Sequence, residues 1–274
     1  MRKIILLIII NAISTIIIAQ TKNHFFKGMY IQWGYNTEWY TKSNIHFKLS
    51  NGSNFIVHNV KANDKPDFDA ILKKPFEISI PQYNYRFGFY LNDKKTKSIE
   101  LNFDHAKYVV TNYQKVRVTG IINNQSGIND GLQIDADSIL NPATFFHMEH
   151  TDGANWLHIN YTQQRILLNN KNKSHPLINL IYKIGAGINI PRTDFTWKGD
   201  RYNNDFHVAG YNAGIEGGFR YFPFKHFFFE ATGKSGYVRY VNALANTTKI
   251  KNSRLSHGFG YFELIGLIGY DINF

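Results

Sequence analysis

Residues able to do chemistry crowd into one stretch, Phe145-Phe146-His147-Met148-Glu149-His150-Thr151-Asp152-Gly153. Imidazole and carboxylate together suit a divalent metal such as zinc. The spacing argues against it. In an extended chain side chains alternate, so His147 and Glu149 share a face while His150 points away. Thr151-Asp152-Gly153 has the composition of a turn entering the next strand. The expectation for His147, Glu149, His150 and Asp152 is therefore a hydrogen-bonded cluster at a loop end, with no metal, no cofactor and no catalytic centre. Asp104, His105 and Lys107 form a second, smaller group of the same solvated kind.

What the chain lacks narrows its chemistry further. Its 274 residues include no cysteine, which removes disulfides, thiolate zinc sites, iron–sulfur ligation and cysteine nucleophiles together. Aromatic residues make up 16% of the chain, too many for a disordered one. Lys and Arg number 31 against 20 Asp and Glu, a formal charge of +11 that suggests anionic partners without choosing among them.

The elements that must position these residues begin after an export signal. Arg2 and Lys3 precede the apolar run Ile4 to Ile10, and Ile16-Ile17-Ile18-Ala19 supplies a small residue for cleavage. Residues 1–19 are expected to be removed, leaving a domain over 20–274, and losing Arg2 and Lys3 takes the charge from +11 to +9. Beyond residue 20 no uncharged apolar stretch is long enough for a spanning helix; the recurring pattern is alternation with a period of two. In 177–190 the even positions Ile178, Leu180, Tyr182, Ile184, Ala186, Ile188 and Ile190 are apolar, while Asn179, Lys183, Gly185, Gly187 and Asn189 occupy the odd ones. Similar segments fall at 28–40, 81–91, 98–111, 154–168, 206–221, 226–241 and 262–274. Most are longer than the roughly 9–11 residues a tilted strand needs to cross a bilayer.

The connections alternate between short (92–97, 169–174, 222–225) and long (41–80, 112–153, 190–205, 242–256). Short turns on one side and long loops on the other describe an all-β, antiparallel transmembrane β-barrel, with periplasmic turns and extracellular loops. The count is eight strands, or ten if 43–60 joins the wall; that stretch reads better as a hairpin above the membrane. With the apolar parity outward, Gln32, Asn36, Glu38, Asn84, Arg86, Glu100, Asn102, Asp104, Glu216, Arg220, Glu230, Lys234 and Glu263 face inward. Eight strands leave room only for side chains, and buried charges must be paired. The expectation is a plug in which Arg86, Arg220 and Lys234 pair with Glu100, Glu216, Glu230 and Glu263. A soluble barrel would invert the faces. Trp33, Trp39, Tyr83, Tyr85, Tyr221, Phe222, Phe227 and Tyr270 suit aromatic girdles.

The chain closes on Ile268-Gly269-Tyr270-Asp271-Ile272-Asn273-Phe274, where Tyr270, Ile272 and Phe274 alternate back from a terminal Phe. This resembles the C-terminal assembly signal of bacterial outer membrane β-barrel proteins, and the whole mature chain resembles small barrels of the OmpA-domain, OmpX and OmpW type. The resemblance implies the outer membrane as location and the barrel assembly machinery, outer membrane lipids and lipopolysaccharide as partners. It implies no nucleic acid and a monomer. Cations in the long segments, among them Lys61, Lys65, Lys73, Lys74, Arg192, Lys198, Arg201, Lys249, Lys251 and Arg254, suit lipopolysaccharide phosphates. Some barrels of this size are lipid A esterases with a His-x-Ser-Asn signature; His150-Thr151-Asp152 is only loosely similar and lacks the serine nucleophile. The function expected is structural or surface-binding, through loops whose ligand the sequence does not name. The alternatives are a lipid A-modifying enzyme, or a narrow channel or transporter of small hydrophobic molecules.

Overall fold

The computed structural model describes residues 25–73, 82–123, 131–172 and 175–274; the expected export signal at 1–19 and Lys74 lie outside the described residues. Eight strands close into an antiparallel barrel: β1 (Met29–Tyr40), β5 (Tyr83–Tyr90), β6 (Lys97–Asp104), β11 (Trp156–Asn169), β12 (Pro176–Asn189), β15 (Gly210–Tyr221), β16 (Phe227–Leu244) and β17 (Arg254–Ile272). Closure is made by β1 against β17, paired from Met29–Ile272 to Tyr40–Tyr261. No described helix is long and apolar enough to cross a membrane; the crossing is made by strands.

Alternation along each strand decides what faces where. Ile159, Ile184, Ile215, Phe219, Phe262 and Leu264 lie on the outside and are exposed, while Arg86, Glu100, Asp104, Arg220 and Glu263 are buried within. Water would not tolerate that exterior, nor would a soluble barrel bury that interior. The apolar belt is the surface of an outer-membrane-type barrel. Trp39, Tyr221 and Tyr270 lie exposed at the strand ends, as girdle residues should. Phe222 does not: it is buried with Tyr30, Tyr90 and Phe228 as an aromatic floor of the lumen. It lies one residue past the end of β15, where the chain turns under the barrel and the strand's parity no longer applies.

The long connections are not loops but a second folded layer. β2 (Ser43–Lys48), β3 (Asn54–Val60), β8 (Lys115–Ile122) and β9 (Leu132–Ile139) extend the barrel sheet sideways from the upper end of β17. The hairpin at 43–60 therefore stays out of the closed wall, and the wall count is eight. A five-stranded sheet stands opposite: β14 (Asp200–Asn203), β13 (Asp194–Trp197), β10 (Phe146–His150), β7 (Tyr108–Val110) and β4 (Ala62–Asn63). Their facing sides share one core in which Phe47 packs against Phe146 at 4.8 Å and Phe195 at 5.5 Å, and Phe55 against Trp197 at 5.4 Å. The segment expected as one strand over 98–111 divides at residues 105–107, sending β7 into the second sheet. A short helix, α1 (Phe68–Lys73), follows Pro66.

Candidate functional site

The lumen is layered. At the bottom the Arg220 guanidinium lies between the rings of Tyr30 and Phe228, 4.4 and 4.1 Å from their centroids. Those rings lie over Gly88 and Gly269, where an added Cβ would collide with them. Arg220 reaches up to Glu230 at 2.7 Å. The middle layer joins Arg86 and Lys183 to Glu100, Glu216 and Glu230: Arg86 lies 2.6 Å from Glu216 and 3.5 Å from Glu230, and Lys183 lies 2.7 Å from Glu230, 3.0 Å from Glu100 and 3.3 Å from Glu216. The Tyr30 hydroxyl donates to Glu100 at 2.6 Å. Above, Lys234 bonds Asp104, approaches His158 at 3.0 Å and Glu263 at 3.5 Å, while Asn36 donates to Glu263 at 2.7 Å. Glu38 stands apart at the upper rim, accepting from Gln82 at 2.6 Å.

The inward residues read from the sequence thus converge from six of the eight strands. Lys183 on β12 adds a seventh strand, and the parity it shares with Asn179 and Asn189, opposite the apolar even positions, was the signal for it. His158 on β11 was signalled only by parity. Buried ion pairs are poor evidence of stability, because desolvation offsets their attraction. What they do here is fill the lumen with groups that cannot leave singly.

Trp156, Tyr240, Tyr261, Tyr108, Phe259, His150 and His257 roof the lumen. Trp156 packs tilted against Tyr261 at 4.6 Å and donates to the Tyr240 hydroxyl at 3.1 Å, which donates to the Ala154 carbonyl at 3.1 Å.

The structure disperses the His147–Asp152 group. The segment is strand β10 inside a sheet, not a loop end, because Phe146 and Met148 are needed in the head core. His147 and Glu149 share the outer face at 3.6 Å, and this imidazole contact holds the Glu149 carboxyl below its ordinary range despite partial burial. His150 points inward and is fully buried; its Nε2 lies 3.2 Å from Nε2 of His257 and its Nδ1 3.2 Å from the Thr193 hydroxyl. Burial pushes His150 down to about 3. Asp152 turns away to Arg192 at 3.1 Å and Asn203 at 2.7 Å. Among the described residues no group of three or more His, Cys, Asp or Glu could hold a metal ion. His105 stacks on Tyr83 at 4.7 Å and donates from Nδ1 to the Asn155 amide oxygen at 2.8 Å, again buried enough to be pushed down to about 4.

Several cations of the long segments are engaged within the head: Arg192 with Asp152, Arg201 with Asp194, and Lys251 over the Tyr202 ring at 3.9 Å. On the outer face of β2 and β8, which carries the barrel wall upward, Lys48, Lys115 and Arg117 stand exposed. Below them the wall bears Phe262 and Leu264.

No protein-family model matches the chain, and no curated protein sequence does. Solved structures do resemble it. OprG of Pseudomonas aeruginosa aligns over 93% of this chain and 100% of its own, with 12% identity and a TM-score of 0.43. The protease OmpT of Escherichia coli aligns over 92% and 99%, with 6% identity and a TM-score of 0.37. Ail, the attachment invasion locus protein of Yersinia pestis, aligns over 90% and 99%, with 11% identity and a TM-score of 0.30. OprG and OmpT are outer membrane proteins; at such scores the likenesses say nothing about role, and this chain is a barrel by its own closure of β1 on β17.

Proposed function

We propose that the protein is a non-conducting outer-membrane barrel that displays a folded β-head on the cell surface, with a structural or surface-binding role and no catalytic one. The observation that carries this is the filled lumen: aromatic floor, paired charges from Arg86 to Glu263, aromatic roof. A pore through eight strands would require those side chains to vacate the only space there is. Export with cleavage after Ala19 belongs to the same reading, as does insertion by the barrel assembly machinery through Tyr270, Ile272 and Phe274. The barrel stands as a monomer, since its closed wall offers no edge within the membrane. Exposed Lys48 on the outer face of β2 is placed to meet the phosphates of lipopolysaccharide above the lipid-facing belt.

Planar-bilayer recording of the purified protein tests the reading. The expected outcome is no steady conductance; a stable nanosiemens-scale pore would refute it in favour of a channel. A lipid A deacylase needs a general base within reach of its substrate, whereas His150 is sealed in the head against His257 and Thr193. Mass spectrometry of lipid A should show the same acyl pattern with and without the gene. Loss of an acyl chain that depends on His150 would reverse the conclusion.

A further inference from the structure

β9 is unlike every other strand of comparable length in the described molecule. It ends its sheet, paired with β8 on one side and with nothing on the other, and none of its eight residues is buried. Leu132 is 63% exposed. Among the described residues no backbone hydrogen bond reaches the outer side of 132–138. The barrel has no edge, and the free edges of the second sheet, β14 and β4, run for four and two residues. Long open edges invite pairing, and proteins ordinarily blunt them with prolines, bulges or charged side chains, lysine above all. β9, Leu132-Gln133-Ile134-Asp135-Ala136-Asp137-Ser138-Ile139, has no proline, bulge or lysine, and its two charges, Asp135 and Asp137, are paired with cations of β8.

Its two faces specify what would fit. Leu132, Ile134, Ala136 and Ser138 lie opposite Ile122, Gly120, Val118 and Val116, on the core side of the sheet. Ile122 and Ile134 pack on the core, while Leu132 and Ala136 overhang it uncovered. On the outer face Asp135 and Asp137 make diagonal ion pairs to Arg117 at 2.8 Å and Lys115 at 2.9 Å. Those cations lie on the β8 side; a strand added on the free side would place its own side chains directly beside the two aspartates. A second copy of β9 is the wrong occupant. Registers that keep the outer faces together and use most of the strand set Asp135 against another Asp135 or against Asp137, and like charges directly opposite are destabilising.

We propose that the free edge of β9 is a docking site for an extended segment of another protein, taken up by strand addition. The segment alternates apolar residues, which continue the core side over Leu132 and Ala136, with Lys or Arg two residues apart, which flank Asp135 and Asp137. Main-chain hydrogen bonds supply affinity in this mode of recognition and the alternate side chains supply selectivity. The inference deepens the surface-binding role by naming its partner's chemistry. Its test uses purified protein, so it stands or falls independently of conductance and of lipid A chemistry.

The probes are synthetic octapeptides alternating Val with Lys, Glu or Ser, added to the full-length protein in detergent micelles while amide hydrogen exchange is followed. The Val/Lys peptide is expected to slow exchange across 132–138 by about tenfold or more at saturation, with the Val/Ser peptide weaker and the Val/Glu peptide inactive. The double variant Asp135→Asn, Asp137→Asn, checked for folding by its heat-modifiable gel mobility, should bind the Val/Lys peptide about three- to tenfold more weakly and lose the preference for it. Three results would overturn the proposal: no protection by any peptide, equal protection by Val/Glu, or undiminished Val/Lys binding by the folded double variant.

Discussion

Removing one cation from the lumen tests its dryness more sharply than any other change. The Lys183 ammonium lies within 3.3 Å of Glu100, Glu216 and Glu230, and all four residues are buried. Lys183→Met keeps the length of the stem and deletes the charge. Glu216 retains Arg86 at 2.6 Å and Glu230 retains Arg220 at 2.7 Å, but Glu100 is left with Arg86 at 4.0 Å and the Tyr30 hydroxyl at 2.6 Å. Stranding a charge in a dry interior costs about 3–5 kcal/mol. Neutralising the stranded partner should restore part of it, so Lys183→Met with Glu100→Gln should recover at least about 1 kcal/mol over the single variant, because the two sites are directly coupled. Urea unfolding in lipid vesicles, followed by tryptophan fluorescence and by gel mobility, gives both numbers. A loss below about 1 kcal/mol, the range of exposed ion pairs, would mean that water reaches Lys183. The filled-lumen argument would then fail.

Three further outcomes are expected. Free histidine titrates near 6.5, whereas His150 stays neutral in the folded head down to about 3, because burial disfavours its charged form. Between those values the unfolded chain binds the extra proton, so stability falls as pH falls, by about 1.4 kcal/mol per pH unit for this group. The protection factors of amides in Phe146–His150, each referred to the intrinsic exchange rate at its own pH, should therefore fall between pH 6 and pH 4.5 and do so less in His150→Phe; unchanged protection factors would refute the burial argument. Phe274 is exposed on the lipid-facing parity, while Asn273 accepts a hydrogen bond from Lys95 at the turn end; Phe274→Asp should impair membrane insertion far more than Asn273→Asp, and equal insertion of the two would show the register to be wrong. Gly88→Ala would push a methyl into the Tyr30 ring and unseat Arg220 from its stack, lowering stability by about 1–3 kcal/mol in the same urea assay; an unchanged midpoint would mean that the floor is loosely packed.

Alternation made the barrel legible because lipid and lumen are such different surroundings that every wall residue declares its side. Parity put Arg86, Glu100, Glu230 and Glu263 inside, yet it could not name partners, since Lys183 meets Glu100 from two strands away and Arg86 meets Glu216 across the lumen. The head was harder for a related reason. Its strands are two to eight residues long, and Phe146 with Met148, or Phe195 with Trp197, gives only one repeat of the period. Such pairs become a core only when Phe47 meets Phe195 from a strand far away in the chain. His150 shows the consequence: read locally it belongs with Glu149 and Asp152, but the sheet that needs Met148 inward carries His150 inward too, away from both carboxylates and against His257. The same logic makes β9 informative. Its alternation of Leu132, Ile134 and Ala136 with Asp135 and Asp137 is as regular as any wall strand's, but one edge of that strand meets no other strand among the described residues.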